Sequence, residues 1–310
     1  MKILIVSGFL GSGKTTFIKK LSDQVEKKLV ILENEYGAAG IDGARLGKNQ
    51  QEMQENIWEM TERCICCSGQ KDFASSVLTI ANAVDPEYLI VEPTGVGSLA
   101  RIIANLRQIE YERIQLLAPV VIVDIYSYNR YRAEYPELYK DQIRNADTII
   151  VSKTEQSSAD EKEKIREFLK KINPSAKIIT DYSSTMTQEA YKNLLRGNGY
   201  DKEIDNRQIE EYLPDVFSMK NVSVETPEKL LWLLESVIRG RFGNIIRAKG
   251  QLRAGKQFFQ FDVADSRYSI TGAEMESVGK AVFIGEGIGR KEIQENFRKS
   301  ARNKKIEYRM

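Results

Sequence analysis

Six short apolar runs alternate with longer amphipathic segments over residues 1–196, and this alternation restricts the fold more than any other feature. The runs are KILIVS (2–7), LVILEN (29–34), YLIVEP (88–93), PVVIVD (119–124), TIIVSK (148–153) and KIIT (177–180). The amphipathic segments between them include helix candidates at 14–26, 70–83, 96–107 and 159–171. Buried parallel strands are apolar throughout and need helical crossovers. The pattern therefore predicts an α/β domain with a parallel sheet and flanking helices.

The remainder of the chain has a different pattern. Residues 197–215 are polar, begin with a glycine and contain Pro214, which predicts a linker. A second alternation follows in residues 216–310, with strand candidates FSMKNVSV (217–224), NIIRAKGQLR (244–253), QFFQFDVAD (257–265), RYSITG (267–272) and KAVFIGEG (280–287). Helices are predicted at 227–240 and from about 290. This part is expected to form a small α+β domain with one sheet face covered.

Composition excludes several classes of partner. The chain has 46 basic and 44 acidic residues, a net charge of +2, which argues against nucleic acid or an anionic membrane as the main partner. No apolar run is long enough for a membrane span, so a cytoplasmic protein is expected. The only three cysteines stand within four positions, which suits metal or redox chemistry in a reducing compartment. Histidine is absent, which removes the commonest general base.

The segment GFLGSGKT (8–15) fits the phosphate-binding pattern G-x-x-x-x-G-K-[ST]. It follows an apolar run and precedes a helical one, and this is the context in which the pattern is informative. Glycines let backbone amides face phosphate oxygens, Lys14 neutralises the β- and γ-phosphates, and Thr15 binds Mg²⁺. The predicted nucleotide-binding residues here are Gly8, Gly11, Ser12, Gly13, Lys14, Thr15 and Thr16.

A carboxylate at the end of a later buried strand is also expected near the magnesium ion. The run LIVEPTG supplies Glu92 at that point, and Gly95 follows in a position to offer its N–H to the γ-phosphate. Lys14, Glu92 and Gly95 are therefore candidate catalytic residues. The alternative is an ordinary turn at a strand end.

The segment SKTE (152–155) stands where guanine-binding proteins usually carry N-K-x-D. The Glu155 carboxylate can accept both hydrogen-bond donors of guanine, and the Lys153 stem can cover the base. Ser152 completes the predicted base-binding set, although its side chain is shorter than asparagine. GTP is the favoured nucleotide, while ATP and a simple solvated turn remain alternatives.

The cysteines Cys64, Cys66 and Cys67 form a C-x-C-C motif. Three thiolates that converge on one ion make a soft site, which suits Zn²⁺ or Cu(I) and leaves a coordination position open. Water, a partner's side chain or Glu35 could fill that position. The alternatives are buried structural thiols, a redox pair or one corner of an iron–sulfur cluster.

Together these segments resemble one family. GFLGSGKTT, ENEYGAAGID, CICC, EPTG, RAKG (247–250) and VFIGEG (282–287) occur in the order found in the CobW-like metallochaperone GTPases, relatives of the urease- and hydrogenase-maturation GTPases. The resemblance implies a P-loop GTPase domain over 1–196 and a CobW-like C-terminal domain over 216–310. It also implies GTP, Mg²⁺ and Zn²⁺ or another transition metal as ligands. Asp42 resembles the family's switch carboxylate near Mg²⁺ or the attacking water.

The thiols lie between ENEYGAAGID and VEPTG, where P-loop GTPases carry the segments that move when the γ-phosphate is lost. A metal held there would respond to the nucleotide, and Glu33, Asp42 or Glu92 would orient the attacking water. The expected function is a GTP-hydrolysing metallochaperone that delivers its metal to a client metalloprotein; a nucleotide-dependent homodimer is also a candidate. The alternatives are a regulatory switch with a purely structural metal, and a P-loop ATPase or small-molecule kinase.

Overall fold

The computed structural model describes residues 1–25, 29–34, 57–60, 70–197, 199–204, 215–264, 266–273 and 279–297. The chain divides into two compact units, Met1–Leu213 and Pro214–Met310. None of the described helices has the length and hydropathy needed to cross a membrane.

The first unit is built on a parallel sheet. Its strands are β1 (Lys2–Gly8), β2 (Leu29–Asn34), β3 (Ile57–Met60), β4 (Tyr88–Glu92), β5 (Gln115–Leu116), β6 (Val120–Asp124), β7 (Thr148–Ser152) and β8 (Lys177–Ile179). The order across the sheet is β3-β2-β4-β1-β6-β7-β8, and the short β5 pairs with β1. The carboxyl ends of β1, β2, β4, β6 and β7 consequently meet at one edge, where the predicted phosphate and base segments begin.

Helices cover both faces of this sheet. They are α1 (Lys14–Gln24), α2 (Gln70–Ala83), α3 (Leu99–Arg107), α4 (Tyr128–Glu134), α5 (Pro136–Arg144), α6 (Ala159–Ile172), α7 (Tyr182–Thr185) and α8 (Gln188–Leu194). Successive side chains of β1 point to opposite faces of the sheet. All four residues from Ile3 to Val6 are fully buried, so both faces are covered. Leu4 and Val6 pack with Phe17 and Leu21 of α1. The predicted α/β fold with a parallel sheet is therefore confirmed.

The second unit is an antiparallel sheet with helices on one face. Its elements are β9 (Asp215–Lys220), β10 (Ser223–Val224), α9 (Pro227–Ile238), β11 (Asn244–Ala254), β12 (Gln257–Ala264), β13 (Arg267–Gly272), β14 (Lys280–Glu286) and α10 (Arg290–Phe297). The strand order is β13-β12-β11-β14-β9, and β10 pairs parallel to β11. Leu233 of α9 and Phe297 of α10 bury their side chains against Phe261 and Phe283 of the sheet. The predicted α+β architecture is confirmed.

Two predicted strands are each divided in the structure. The apolar run LLAPVVIV (116–123) overlaps the predicted strand 119–124 and by its length predicts one buried strand, but β5 ends at Leu116 and β6 begins at Val120. Pro119 lacks an N–H for the sheet, and its carbonyl instead accepts hydrogen bonds from Asp147 and Thr148. The run FSMKNVSV is likewise divided, because Asn221 has a φ of 60° and separates β9 from β10. The short strand β3 was not predicted.

Residues 199–204 pack against earlier parts of the first unit. The Arg107 guanidinium donates to the carbonyl oxygens of Tyr200 at 2.9 Å and Lys202 at 2.6 Å. The Tyr200 hydroxyl donates to the carbonyl of Asn145 at 3.2 Å. Residues 205–214 lie outside the described residues, so the predicted linker and its boundaries stay a prediction.

An ion pair at the end of β8 predicts a pH dependence of stability. Lys162 of α6 donates to the Asp181 carboxylate, and this bond, followed by one from Thr180, lowers the pKa of Asp181. A carboxyl whose pKa is lowered in the folded state stabilises the fold above its unfolded pKa of about 3.9. That stabilisation disappears as the pH falls through the folded value.

We therefore expect Asp181→Asn to lower the free energy of unfolding at pH 7 by about 0.5 kcal/mol, since partly exposed pairs are screened by solvent. Urea unfolding at several pH values should show this difference shrinking towards zero near pH 3. A difference that persists unchanged at pH 3 would contradict the role of the ion pair.

Candidate nucleotide-binding site

The phosphate-binding segment joins the end of β1 to the start of α1. Gly8, Gly11 and Gly13 have φ values of 141°, 72° and 97°, in the region that favours glycine. A Cβ atom on Gly8 would lie 2.3 Å from the carbonyl oxygen of Ile122 in the neighbouring strand. Gly13 is the N-cap of α1, so the free amides of the helix N-terminus face the loop. This geometry is what an anion-binding loop requires.

The charge of Lys14 is held inside this loop. Its side chain is 6% exposed, and the ammonium donates to the carbonyl oxygens of Gly8 at 3.0 Å and Phe9 at 3.2 Å. A buried ammonium with carbonyl partners stays aimed at the loop interior, where phosphate oxygens would lie.

Thr15 and Glu92 meet at the carboxyl edge of the sheet. The Thr15 hydroxyl donates to Glu92, with Oγ1 2.9 Å from Oε1 and 3.2 Å from Oε2. Glu33 at the end of β2 is 3% exposed, and its Cα pairs in register with that of Glu92 on β4. A hydroxyl and a carboxylate are the hard oxygen donors that Mg²⁺ prefers.

Gly95 lies against the phosphate loop. A Cβ atom at this position would be 2.5 Å from the backbone nitrogen of Leu10 and 2.8 Å from the carbonyl carbon of Phe9. The turn that contains it closes with a hydrogen bond of 3.0 Å from the N–H of Gly97 to the carbonyl of Thr94. Only a residue without a side chain lets the two loops approach this closely.

Aromatic side chains of α4, of α5 and of Tyr135 between them contact Phe9 of the phosphate loop. The ring centroid of Phe9 lies 4.2 Å from that of Tyr131 and 5.6 Å from that of Tyr135. The Tyr131 hydroxyl donates to the carbonyl of Leu10 at 3.2 Å. The Tyr139 ring is also next to Phe9, and burial raises the pKa of its phenol well above the usual value. These contacts fix the part of the loop at Phe9 and Leu10.

The predicted base segment follows β7 and contacts the phosphate loop. The hydroxyl of Ser152 donates to the carbonyl of Ser12 at 2.6 Å. Lys153 has a φ of 60°, and its ammonium lies 2.6 Å from Oδ2 of the buried Asp124. The same carboxylate accepts a hydrogen bond of 2.9 Å from the N–H of Tyr126. The Lys153 side chain is thus anchored by its charged end beside the loop.

Glu155 lies on the exposed side of this segment. Burial, followed by the charges of Tyr191 and Glu155, raises the pKa of Tyr182 in α7. Tyr182 also receives the Lys20 ammonium 4.7 Å from its ring centroid. Thr16, which is also a predicted nucleotide-binding residue, is exposed on α1.

The structure brings most of the described predicted residues together. The phosphate loop, Glu92, Gly95 and Ser152 are joined by the contacts above. The predicted metal ligands and switch carboxylate lie outside the described residues: Glu35, Asp42, Cys64, Cys66 and Cys67. Within the described ranges, no cluster of three or more metal-ligating His, Cys, Asp or Glu side chains occurs.

Two residues of the site were missed by sequence reasoning. Asp124 ends the apolar run PVVIVD as Glu92 ends YLIVE, so the rule applied to Glu92 would have found it. Gln142 of α5 donates to the carbonyls of Gly95 and Gly97, and no local pattern marks it.

Comparisons with known proteins match two family models to this chain. A family model described as CobW/HypB/UreG, nucleotide-binding domain, matches residues 2–180. A second, described as the cobalamin synthesis protein CobW C-terminal domain, matches residues 217–301. The crystal structure of Zn(II)-bound YjiA GTPase from Escherichia coli is similar with 19% identity and a TM-score of 0.47, covering 96% of this chain and 97% of that one.

Curated relatives are similar at low identity. The zinc chaperone CobW of Pseudomonas aeruginosa is 25% identical over 212 residues, 59% of this chain and 56% of the relative. The zinc chaperone YjiA of Escherichia coli is 27% identical over 186 residues, 57% of this chain and 56% of the relative. The zinc-regulated GTPase metalloprotein activator 1 of Dictyostelium discoideum is 22% identical over 297 residues, 81% and 62% respectively. The chain thus spans little more than half the length of the first two.

The nucleotide-domain match covers most of the first unit and more than half of the chain, and the chain belongs to the CobW/HypB/UreG family.

Proposed function

We propose that this chain binds and hydrolyses GTP and uses that cycle to bind Zn²⁺ and deliver it to a client metalloprotein. The observation that carries the nucleotide part is the hydrogen bond between Thr15 and Glu92 at the phosphate loop. It joins a loop hydroxyl to a strand-end carboxylate, the pair that P-loop hydrolases use around Mg²⁺. The metal part draws support from family membership and from relatives named zinc chaperones.

The residues of the loop supply positioning and charge. The amides at the start of α1 and the Lys14 ammonium bind the phosphates, and in phosphoryl transfer such positioning provides almost all of the catalysis. Thr15 and Glu92 would hold Mg²⁺, which when bound neutralises charge on the β- and γ-oxygens. Lys153, anchored by Asp124, covers the base, and Glu155 accepts its hydrogen bonds.

The candidate carboxylates divide into two proposed roles. Glu92 bonds to Thr15 and belongs to the magnesium side. Glu33, next to it in register, and Asp42 are left to orient the attacking water. Gly95 offers its N–H to the γ-phosphate.

The sheet order supports coupling between nucleotide and metal. Glu35 directly follows β2, and Cys64, Cys66 and Cys67 follow β3. Strands β2 and β3 are paired, and β2 also pairs with β4, which ends at Glu92. The segments that carry the metal ligands thus leave the sheet at the same edge as the magnesium carboxylate.

The nucleotide part is tested with purified protein and Mg²⁺. We expect turnover of GTP, and a hundredfold excess of ATP should compete only weakly. Equal hydrolysis of ATP would replace this proposal with the ATPase alternative.

The metal part is tested by zinc titration. Wild-type protein should bind one Zn²⁺ with high affinity, and Cys64→Ser/Cys66→Ser/Cys67→Ser should lose it while keeping its affinity for GTP. Release to a chromophoric zinc chelator, a surrogate for the client, should be faster during GTP turnover than with GDP. Equal release rates would favour the switch with a structural metal, and zinc retained by the triple variant would exclude the thiols as ligands.

A further inference from the structure

Gln142 connects α5 to the loop that follows β4. The residue is 2% exposed, and its amide nitrogen lies 3.3 Å from the carbonyl oxygen of Gly95 and 3.1 Å from that of Gly97. Both hydrogens of one amide group are thus donated to the same four-residue turn. Because the group is buried, water cannot replace these bonds if the side chain is removed.

The neighbours of Gln142 keep α5 fixed against this loop. The Asp141 carboxylate accepts a hydrogen bond of 2.7 Å from the N–H of Leu99, the first residue of α3. Asn145 donates to the same carboxylate at 3.1 Å. Asp141 and Gln142 of α5 and Asn145, which follows the helix, are each 2% exposed. The helix therefore holds the segment from Gly95 to Leu99 at two points.

The opposite side of the same turn rests on the phosphate loop. Gly95 packs against the backbone of Phe9 and Leu10, and Tyr131 of α4 donates to the carbonyl of Leu10. The Gly95 peptide is thus enclosed between the phosphate loop and the Gln142 amide. The N–H of Gly95 belongs to the peptide group whose carbonyl is that of Thr94, and this carbonyl accepts the hydrogen bond from the N–H of Gly97. Gln142 fixes the carbonyls of Gly95 and Gly97 in the same turn, so the Thr94–Gly95 peptide group and its N–H keep one direction.

We propose that Gln142 is a positioning residue for γ-phosphate recognition: by binding the carbonyls of Gly95 and Gly97, it keeps the loop in the conformation in which the N–H of Gly95 faces the γ-phosphate. This inference rests on the proposed GTP-binding function and adds a residue to it. A donor that is oriented before the nucleotide binds needs no reorganisation when charge develops, and this is the source of its effect.

The test measures affinity for a non-hydrolysable GTP analogue and for GDP in the full-length protein with Mg²⁺. Gln142→Ala, and Gln142→Met as a variant that retains side-chain length, should bind the analogue about tenfold more weakly, the effect of one hydrogen bond to a charged group. GDP affinity should stay within twofold of wild type, and kcat should fall by a similar factor of about ten.

Asn173→Ala is the matched control. Its amide also donates to backbone carbonyls, those of Ile143, Arg144 and Ala146 at 2.8, 3.1 and 2.8 Å, but it does not contact the Gly95 turn. It should lower thermal stability as the Gln142 variants do, without changing the ratio of the two nucleotide affinities. A merely structural role for Gln142 would make the two sites behave alike.

Two results would overturn the inference, and they are distinguishable. If wild type prefers the GTP analogue and both Gln142 variants keep that preference, the positioning role is wrong and the proposed function stands. If wild type binds neither nucleotide, the proposed function fails and this inference fails with it.

Discussion

Replacement of Lys14 by methionine is expected to lower kcat/KM for GTP hydrolysis by on the order of 10²–10³. The ammonium is buried in the phosphate loop and bonded to the carbonyls of Gly8 and Phe9, so its charge is already oriented towards the phosphates. Methionine keeps the length of the side chain and removes the charge. Steady-state release of phosphate measures the effect.

Lys19→Met provides the control for this prediction. Lys19 lies on the same helix and is half-buried, but it is five residues, more than one helical turn, beyond Lys14. Its replacement should leave kcat/KM within about twofold, as expected of substitutions outside the site. An equal loss in both variants would mean that general charge, not the placement of Lys14, attracts the nucleotide.

The second large effect is expected from Gly8→Ala, which should lower the free energy of unfolding of the first unit by about 2–5 kcal/mol. The φ of 141° is unfavourable for a residue with a side chain, and the new Cβ would lie 2.3 Å from the carbonyl oxygen of Ile122. Because that oxygen belongs to the backbone of β6, it cannot move without disturbing the sheet. Urea unfolding followed by circular dichroism measures the change.

Gly199→Ala separates the effect of the positive φ from the effect of the steric clash. Gly199 also has a positive φ, 106°, but a Cβ atom there would meet nothing within 4 Å. Its replacement measures conformational strain alone, expected to be about 1–2 kcal/mol. If Gly8→Ala costs no more than Gly199→Ala, the close approach of β1 and β6 at the phosphate loop is not a constraint.

The parallel sheet could be predicted because each of its buried strands is apolar along its whole length. β4 and β7 are within one residue of their predicted ends, and α2 has its predicted bounds of 70–83. The phosphate loop could also be predicted, because its glycines and its lysine lie within one short segment. The family prediction made from the ordered motifs is confirmed by the family model.

The missed features depend on contacts between distant parts of the chain. Gln142 contacts Gly95, 47 residues away in sequence, from a helix whose pattern shows only its apolar face. Asp124 becomes part of the base segment only when β6 and β7 pair and bring Lys153 beside it. Local sequence patterns do not encode such pairings. The divided strands have local causes, Pro119 and Asn221, whose effects were underestimated within apolar runs.

In the proposed function, the binding of the nucleotide and the binding of the metal are coupled. The most direct test of this coupling is the zinc affinity of the wild-type protein, measured in parallel with a non-hydrolysable GTP analogue and with GDP. Coupling free energies between such sites are typically about 1–3 kcal/mol, so we expect the two zinc dissociation constants to differ by about tenfold or more. Dissociation constants that agree within twofold would contradict the account.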